Sequence, residues 1–293
     1  MKRMTTLLSK KVSAIVPNYN YGRYIKKRIR SILRQTYPIY ELIILDDDST
    51  DGSTELIKNM VLDLKLKNPE LNIKFVPSEK NSGKAMSQWK KGWEMATGDY
   101  IWIAEADDLC KQDFLAEAMK GFDDPEVVLS YTESEIINSW GLMVAPNFRW
   151  SRDKEKTGHY NSSYTKDGLR EVEEIMAIRC TIPNVSAVVF RRSDKIPYLK
   201  YLDEALKFSQ VGDWYFYVNV LKHGKISYSR KALNKFRVHS GSKTKRSKKD
   251  NRHYEEILEL HEYFRKNHEL DSLVLERMKG EEARVRVKHG IME

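Results

Sequence analysis

The sequence has little cysteine and no long apolar run. Its two cysteines, Cys110 and Cys180, fit neither a zinc-like nor a redox spacing, and two cysteines do not build a disulfide framework. No apolar stretch approaches the roughly 20 residues of a membrane-spanning helix. The N-terminal segment, MKRMTTLLSKKV, does not resemble a secretory signal. Together these absences favour a globular protein of the reducing cytoplasm.

Several motifs of common phosphate and metal sites are also missing. The chain contains neither a GxxxxGK[ST] phosphate loop, nor a GxGxxG fingerprint, nor an HExxH zinc pattern. Its formal net charge of +9 is concentrated at 26–30 and 243–249. Such clusters suit a solvated basic face, nucleic acid, anionic lipid or an anionic substrate. Because no RNA- or DNA-reading motif accompanies them, a nucleic-acid-binding protein is the least favoured interpretation and no nucleic-acid partner is expected.

Strand and helix patterns alternate through the N-terminal half. Short apolar runs at 12–16, 40–46, 72–76 and 99–104 predict strands, and stretches of helical periodicity separate them. This alternation predicts an α/β fold with a parallel sheet wound through βαβ units. The carboxyl ends of the four strands then share one edge, where open α/β sheets bind ligands.

Polar residues follow each predicted strand at that edge, and two of the groups are acidic. Asp46-Asp47-Asp48 follows the second strand, and Glu105-Ala106-Asp107-Asp108 follows the fourth. Like charges in one crevice repel unless a cation lies between them, and oxygen ligands favour Mg²⁺ or Mn²⁺ over zinc. Such an ion on a diphosphate makes it a better leaving group. The pattern therefore points to sugar transfer from a nucleotide diphosphate.

Four blocks of the sequence resemble the inverting glycosyltransferases of family 2. They are AIVPNYNYGRYIKKRIRSILRQTYPIYELIILDDDSTDGS, NSGKAMSQ, GDYIWIAEADD, and GDWYFYVNVLKHGKISY followed by KFRVHSGSKT, and they extend over about residues 11–245. The resemblance implies the GT-A fold, a Rossmann-like and mostly parallel sheet flanked by helices. It divides the chain into a GT-A domain at 1–245 and a C-terminal helical extension at 246–293. Within the domain, about 11–110 would bind the nucleotide sugar and about 111–245 the acceptor.

The activity implied by this resemblance is metal-dependent, inverting transfer of a hexosyl or deoxyhexosyl group. A UDP- or dTDP-sugar is the expected donor, because an acid can accept the N3–H that uracil and thymine share. A glycan or lipid-linked glycan is the expected acceptor, as in bacterial surface-polysaccharide synthesis. The expected cofactor is Mn²⁺ or Mg²⁺.

The resemblance also implies roles for individual residues. Nucleotide-sugar contacts are implied for Pro17, Tyr19, Asp46, Asp47, Lys84, Glu105 and Ala106. Metal contacts are implied for Asp107, Glu105 and His239. Asp213 matches the general base, and Trp214, Arg237 and Lys243 are candidates for acceptor contacts or a flap over the diphosphate. The chain departs from the family pattern at Glu105, where Asp is commoner, and at Asp48, where Gly or Asn is frequent.

Other interpretations remain open from the residues alone. Asp213 precedes an amphipathic helix, where the helix dipole favours a carboxylate, so it is equally a helix-capping residue. A lone histidine such as His239 is often structural, and Trp214 is equally a core residue. For the whole chain, the alternative is a nucleotide-sugar-binding protein that has lost catalysis, against which the intact Asp107 and Asp213 count.

The C-terminal segment predicts two further helices. Apolar residues at helical spacing mark the first, and a second periodic run covers about 272–287, with a joint near Asn267-His268. These helices are expected to pack on the catalytic domain, to form a homodimer or to bind a partner. With the basic run before them, they are also candidates for a peripheral contact with the inner face of the membrane, near a lipid-linked acceptor.

Overall fold

The computed structural model describes residues 10–149, 157–239, 241 and 251–288. Strands and helices alternate in the N-terminal half as predicted. The strands are β1 (Val12–Asn18), β2 (Glu41–Asp46), β3 (Asn72–Pro77), β4 (Tyr100–Ile103), β5 (Leu109–Cys110), β6 (Val127–Ile137), β7 (Met143–Ala145), β8 (Tyr164–Asp167), β9 (Val188–Arg191) and β10 (Lys225–Arg237). The helices are α1 (Gly22–Leu33), α2 (Ser53–Lys67), α3 (Ala85–Met95), α4 (Phe114–Lys120), α5 (Gly168–Glu171), α6 (Tyr198–Ala205), α7 (Gly212–Leu221), α8 (Arg252–Asn267) and α9 (Ser272–Lys288).

Within the described residues, ten strands form one mixed sheet. Its main path runs β3-β2-β1-β4-β9-β6-β10-β5, with β7 paired to β6 and β8 paired to β10. The first four strands along this path are mutually parallel, which confirms the predicted βαβ winding. Strand β9 is antiparallel to β4 and β6, so β6 and β10 run in the same direction as β1. The carboxyl ends of β1, β2, β4, β6 and β10 therefore lie along one edge.

Side-chain alternation along the strands divides the core between the two faces of the sheet. On one face, Val16 of β1 packs with Ile29 of α1 and Phe114 of α4. On the other, Ile15 packs with residues of α3, α6 and α7. Because both faces of β1 are covered, the strand is apolar from Ala14 to Pro17, and it holds its polar end, Asn18, in a fixed place.

The two C-terminal helices belong to the second of these faces. The apolar residues that predicted α8 are mostly buried against the chain's own core: Tyr254, Ile257 and Phe264 are buried, and Leu258 packs against the same cluster. Val274 and Met278 of α9 join it. The periodic pattern is thus explained by packing within one chain, while a homodimer or a membrane contact through these helices stays a prediction. In the part of the chain that the structure describes, none of the helices is long and apolar enough to cross a bilayer.

The close approach of α3 to β1 depends on a glycine, which leads to a first prediction. A Cβ atom at Gly92 would lie 2.3 Å from Cγ2 of Ile15, on a central strand that cannot move aside. Overpacking of this kind costs about 1–3 kcal/mol, more than the roughly 1 kcal/mol that alanine gains over glycine inside a helix. We expect Gly92→Ala to lower the thermal unfolding midpoint.

Gly280 in α9 provides the matched control, because a Cβ atom there meets no atom within 4 Å. At this position alanine gains helix propensity over glycine without overpacking, so Gly280→Ala is expected to raise the unfolding midpoint slightly. If both substitutions shifted thermal unfolding in the same direction, the close packing of α3 on β1 would not be the deciding effect.

Candidate active site

The turn after β2 is organised around Asp46. The side chain of Asp46 is fully buried, and its carboxylate accepts hydrogen bonds from Asn18 Nδ2 (2.6 Å), Ser49 Oγ (2.7 Å) and Thr54 Oγ1 (2.7 Å). Asp48 follows in the left-handed region with φ 62°, which explains why glycine or asparagine suits this position. Asp46 therefore shapes the turn internally, and its contact with the nucleotide stays a prediction.

Asp47 joins the end of β2 to the loop before α3. Its carboxylate accepts hydrogen bonds from the Ser82 backbone N–H (3.0 Å), the Ser82 hydroxyl (2.7 Å) and Gln88 Nε2 (2.6 Å). A carboxylate has about four acceptor positions, so one remains for a further donor such as a base N–H. Tyr19 lies at the same edge with 45% of its surface exposed.

Two other residues expected near the nucleotide, Pro17 and Lys84, have partners within the protein. Pro17 lies inside β1 opposite Leu45, in the buried part of the strand. Lys84 directs its ammonium group to the backbone carbonyl of Leu206, in the segment between α6 and α7. The loop before α3 is therefore tied to the segment that leads to Asp213.

The acidic stretch after β4 is split between buried and accessible groups. Glu105 accepts a hydrogen bond from the indole Nε1 of Trp89 at 2.7 Å, and its backbone N–H donates to Ser186 Oγ. Ala106 is fully buried, and its contact with the donor stays a prediction. Asp108 is also buried and accepts the backbone N–H of Arg237 at 2.8 Å. It therefore anchors β10.

Electrostatics in this stretch show strong mutual repulsion. Burial, followed by the negative charge of Asp107, raises the pKa of Glu105 to about 8 and that of Asp108 to about 7. The positive charge of Arg28 opposes both shifts. Arg28 is fully buried, with its guanidinium 5.1 Å from the ring centroid of Trp102. The basic cluster at 26–30 therefore contains both kinds of side chain: Arg28 is buried, whereas Lys26, Lys27 and Arg30 are exposed on α1.

Asp107 and His239 form the pair that best suits a metal ion. Asp107 Oδ2 and His239 Nε2 lie 3.1 Å apart, and the imidazole packs between Tyr21 and Tyr24. Two ligands at right angles, each about 2.1 Å from an octahedral ion, are separated by about 3.0 Å, so this spacing suits Mg²⁺ or Mn²⁺. Such ions usually take only one or two protein carboxylates, with waters and phosphates completing the shell.

No third His, Cys, Asp or Glu among residues 10–149, 157–239, 241 and 251–288 completes a metal-binding group with this pair. The carboxylate of Glu105 is hydrogen-bonded to Trp89, and its metal contact stays a prediction.

Arg237 links the acidic stretch after β4 to the residues that follow β6. Its guanidinium donates to the backbone carbonyls of Asp107 (2.6 Å) and Asn138 (2.8 Å), and it lies 4.7 Å from the ring centroid of Tyr24. Only 2% of the residue is exposed. These contacts hold the guanidinium against the acidic stretch, and closure over a diphosphate stays a prediction. Lys243, the other flap candidate, lies outside the described residues.

Asp213 stands in the first turn of α7, at the carboxyl edge of the sheet. The N-cap residue of α7 is Val211, so Asp213 is not the cap itself, although its carboxylate accepts the backbone N–H of Trp214 at 2.8 Å. Tyr217 lies one turn further along α7 and is fully buried. Burial raises the pKa of Tyr217 well above its usual value, and the charges of Asp213 and Glu105 raise it further. These two carboxylates, from distant parts of the chain, thus both act electrostatically on the Tyr217 hydroxyl.

Trp214 does not offer a face to an acceptor. It is 5% exposed and packs against His261 and Phe264 of α8, with ring centroids 6.0 and 5.9 Å away. The stacking role expected from the sequence is wrong, because α8 covers the indole. An exposed tryptophan does occur at the carboxyl edge: Trp140, in the turn between β6 and β7, is 72% exposed.

Sequence patterns did not identify several residues that build this site. Trp89, Ser186 and Tyr217 each contact or face the acidic residues, yet each lies in an ordinary apolar or small-residue context. Arg28 had a signal, since a charged residue on the apolar face of a helix is unusual, but it was hidden within a basic run.

The fold and the site together define a class of protein. A mixed, mostly parallel sheet flanked by helices, with acidic residues gathered at its carboxyl edge, is the GT-A architecture of nucleotide-sugar transferases. The model of glycosyl transferase family 2 matches residues 13–173. The chain belongs to glycosyl transferase family 2.

Relatives and solved structures agree with this assignment. A putative teichuronic acid biosynthesis glycosyltransferase of Bacillus subtilis is 33% identical over 121 residues, which cover 41% of this chain and 45% of that relative. The match thus spans less than half of the relative's length. The structure of S. aureus TarS 1–349 in complex with UDP-GlcNAc aligns with a TM-score of 0.64 at 20% identity, over 92% of this chain and 72% of that one. A mannosyltransferase from Pyrobaculum calidifontis in complex with GDP-Man and Mn²⁺ aligns with a TM-score of 0.60 at 19% identity, over 95% and 70% of the two chains.

Proposed function

We propose that this chain transfers a sugar from a nucleotide diphosphate to a hydroxyl group of a glycan, with inversion at the anomeric carbon. The observation that supports it best is the Asp107–His239 pair at the carboxyl edge, with Glu105 in the same acidic stretch and Asp213 in the first turn of α7. Relatives named for teichuronic acid biosynthesis and as a chondroitin synthase favour surface-polysaccharide synthesis as the setting. A glycan or a lipid-linked glycan is then the acceptor.

In this proposal the nucleotide lies over the loops after β1 and β2. Asp47 uses its remaining acceptor position for the base N3–H, and the exposed ring of Tyr19 covers the base. Asp107 and His239 hold Mn²⁺ or Mg²⁺, which would neutralise the charge that develops on the departing diphosphate. Residues of about 11–110 thus hold the donor, those of about 111–245 hold the acceptor, and residues 246–293 form the helical extension.

The chemical step is a single displacement. Asp213 accepts the proton of the acceptor hydroxyl while the hydroxyl oxygen attacks the anomeric carbon, and the bond from that carbon to the diphosphate oxygen breaks. Attack from the side opposite the leaving group inverts the configuration. Asp213 is half-buried in the first turn of α7, where the helix dipole favours a negatively charged group.

A thermal-shift panel tests the donor part of this proposal. With Mn²⁺ present, UDP, dTDP and their sugars are expected to raise the unfolding midpoint more than GDP or ADP do. A ligand at about 100 times its dissociation constant stabilises the native state by about 2.7 kcal/mol. Asp47→Asn is expected to remove the pyrimidine preference, because an amide cannot accept at both of its heavy atoms.

Asp63 of α2 provides the matched control, since its exposed carboxylate pairs with Lys67 one turn along the same helix. Asp63→Asn should leave the panel unchanged. Equal shifts for all nucleotides, or no shift with any, would contradict the proposed pyrimidine donor. A donor that binds tightly but is never consumed, with any glycan acceptor tried, would instead favour a binding protein without catalysis.

A further inference from the structure

The carboxylate of Glu256, on α8, is buried and faces residues 209–211, which lead into α7. Only 5% of the residue is exposed. One oxygen accepts the backbone N–H of Ser209 (2.8 Å) and its hydroxyl (2.7 Å), and the other accepts the backbone N–H of Gln210 (2.7 Å) and of Val211 (3.2 Å). Four hydrogen bonds from three consecutive residues converge on this one side chain.

These bonds replace a local helix cap. Val211 is the N-cap residue of α7, and no side chain of that segment caps the helix. Without Glu256, the backbone N–H groups before α7 would lack a buried acceptor, which costs free energy. Although burial raises the pKa of Glu256, the bonds from Ser209, Gln210 and Val211 bring it below its usual value. The side chain is therefore an anion at neutral pH, placed where the helix dipole favours one.

The rest of α7 is fixed by the same neighbouring helix. Tyr263 of α8 packs on Tyr215 with ring centroids 5.1 Å apart, and its hydroxyl donates to Asn219 Oδ1 at 2.7 Å. On the opposite side, a Cβ atom at Gly212 would lie 2.9 Å from the backbone oxygen of Ala205. The start of α7 is thus held between α6 and α8, with Glu256 as its polar anchor.

We propose that Glu256 is a positioning residue that sets the place of Asp213 for proton transfer. This inference rests on the proposed function, in which Asp213 is the base. Asp213 lies two residues after Val211, whose N–H is bonded to Glu256. Glu256 lies beyond the residues 13–173 that match the family model, so the C-terminal helices of this chain supply part of the catalytic geometry.

The test compares Glu256→Gln with Glu259→Gln on the same helix. Glutamine brings donors to one end of the side chain, so at least one N–H before α7 loses its partner. A displacement of about 1 Å in a reacting group costs about a hundredfold in rate. We expect Glu256→Gln to lower kcat by about ten- to a hundredfold for the sugar nucleotide that the panel selects, with an unchanged Kd for UDP and Mn²⁺.

Glu259 is the matched control, because it is 56% exposed and pairs with Lys207. Glu259→Gln loses the same charge from the same helix and is expected to keep the wild-type kcat. Equal kcat values for the two variants would overturn the inference. So would a weaker Kd for UDP with an unchanged kcat in Glu256→Gln, since a positioning residue for the base should not act on donor binding.

Hydrogen exchange supplies a readout that does not depend on turnover. The amides of Ser209, Gln210 and Val211 are expected to exchange faster in Glu256→Gln and to stay protected in Glu259→Gln. If Glu256→Gln does not fold, Ser209→Ala removes a single hydrogen bond to the same carboxylate and should give a smaller fall in kcat. Unchanged exchange and kcat in Ser209→Ala would then count against the inference.

The two proposals fail in different ways. If Asp213→Asn turns over at the wild-type rate, the base assignment fails whatever Glu256 does. If Asp213→Asn is inactive while Glu256→Gln is as active as Glu259→Gln, only the positioning role of Glu256 fails.

Discussion

Asp213→Asn is expected to abolish most sugar transfer while leaving the donor bound. The amide has nearly the shape of the carboxylate, so the helix start and the bond from the Trp214 N–H can be kept. It cannot take a proton from the acceptor hydroxyl, and loss of general-base catalysis costs about 10²–10⁴-fold. The measurement is the rate of nucleotide release with acceptor present, together with calorimetric binding of UDP and Mn²⁺.

Asp203 in α6 provides a control of the same chemical change. Its exposed carboxylate pairs with Lys90 at 2.7 Å. The residue lies on the surface and is distant in sequence from the acidic stretch. Asp203→Asn should turn over at the wild-type rate. A normal rate in Asp213→Asn would contradict the assignment of the base, and weakened UDP binding in that variant would point to a donor contact instead.

Asp107→Asn is expected to remove the metal-dependent part of donor binding and, with it, turnover. Asp107 contributes the carboxylate of the pair with His239, and a neutral amide is a much weaker ligand for Mg²⁺ or Mn²⁺. Mutation of residues that merely support metal ligands costs about 10–100-fold, so we expect the loss of a direct ligand to exceed about a hundredfold. EDTA should have the same effect on the wild type.

The decisive measurement is metal titration. Mn²⁺ or Mg²⁺ added after EDTA should restore UDP binding and turnover in the wild type and fail to do so in Asp107→Asn. Asp123→Asn serves as control, because Asp123 is 78% exposed and pairs with Lys10. Full activity of the EDTA-treated wild type would contradict the proposed metal dependence.

The class of fold could be predicted because its signals are local. Each strand at the centre of the sheet is a short apolar run, and each helix between them shows its own periodicity, so neighbouring residues carry the pattern. The strand at 12–16, for example, is extended in the structure only by two residues, Pro17 and Asn18. The carboxyl edge followed from the winding, and with it the placement of Asp47 and Asp107 after strands that end at that edge.

The roles of single acids could not be predicted in the same way. Asp46 and Asp47 are adjacent in the sequence. The carboxylate of Asp46 is hydrogen-bonded within the turn after β2, whereas that of Asp47 is hydrogen-bonded to the loop before α3. Glu105 and Asp107 point to different partners, Trp89 and His239. The partner of each acid is set by elements far away in the chain, and the local sequence pattern does not encode those partners.

The same reasoning applies to the C-terminal half. Helical periodicity in α8 showed that one face is apolar, but periodicity does not say which surface covers that face. Tertiary packing places α8 on α7, so that Trp214 is covered and Glu256 reaches the residues before Asp213. Local sequence pattern thus determined the elements and their order. The long-range contacts that fold α1, α7, α8 and β10 around the sheet edge decided which charges meet there. The sequence pattern does not show these contacts, because they join residues whose separation along the chain carries no periodic signal.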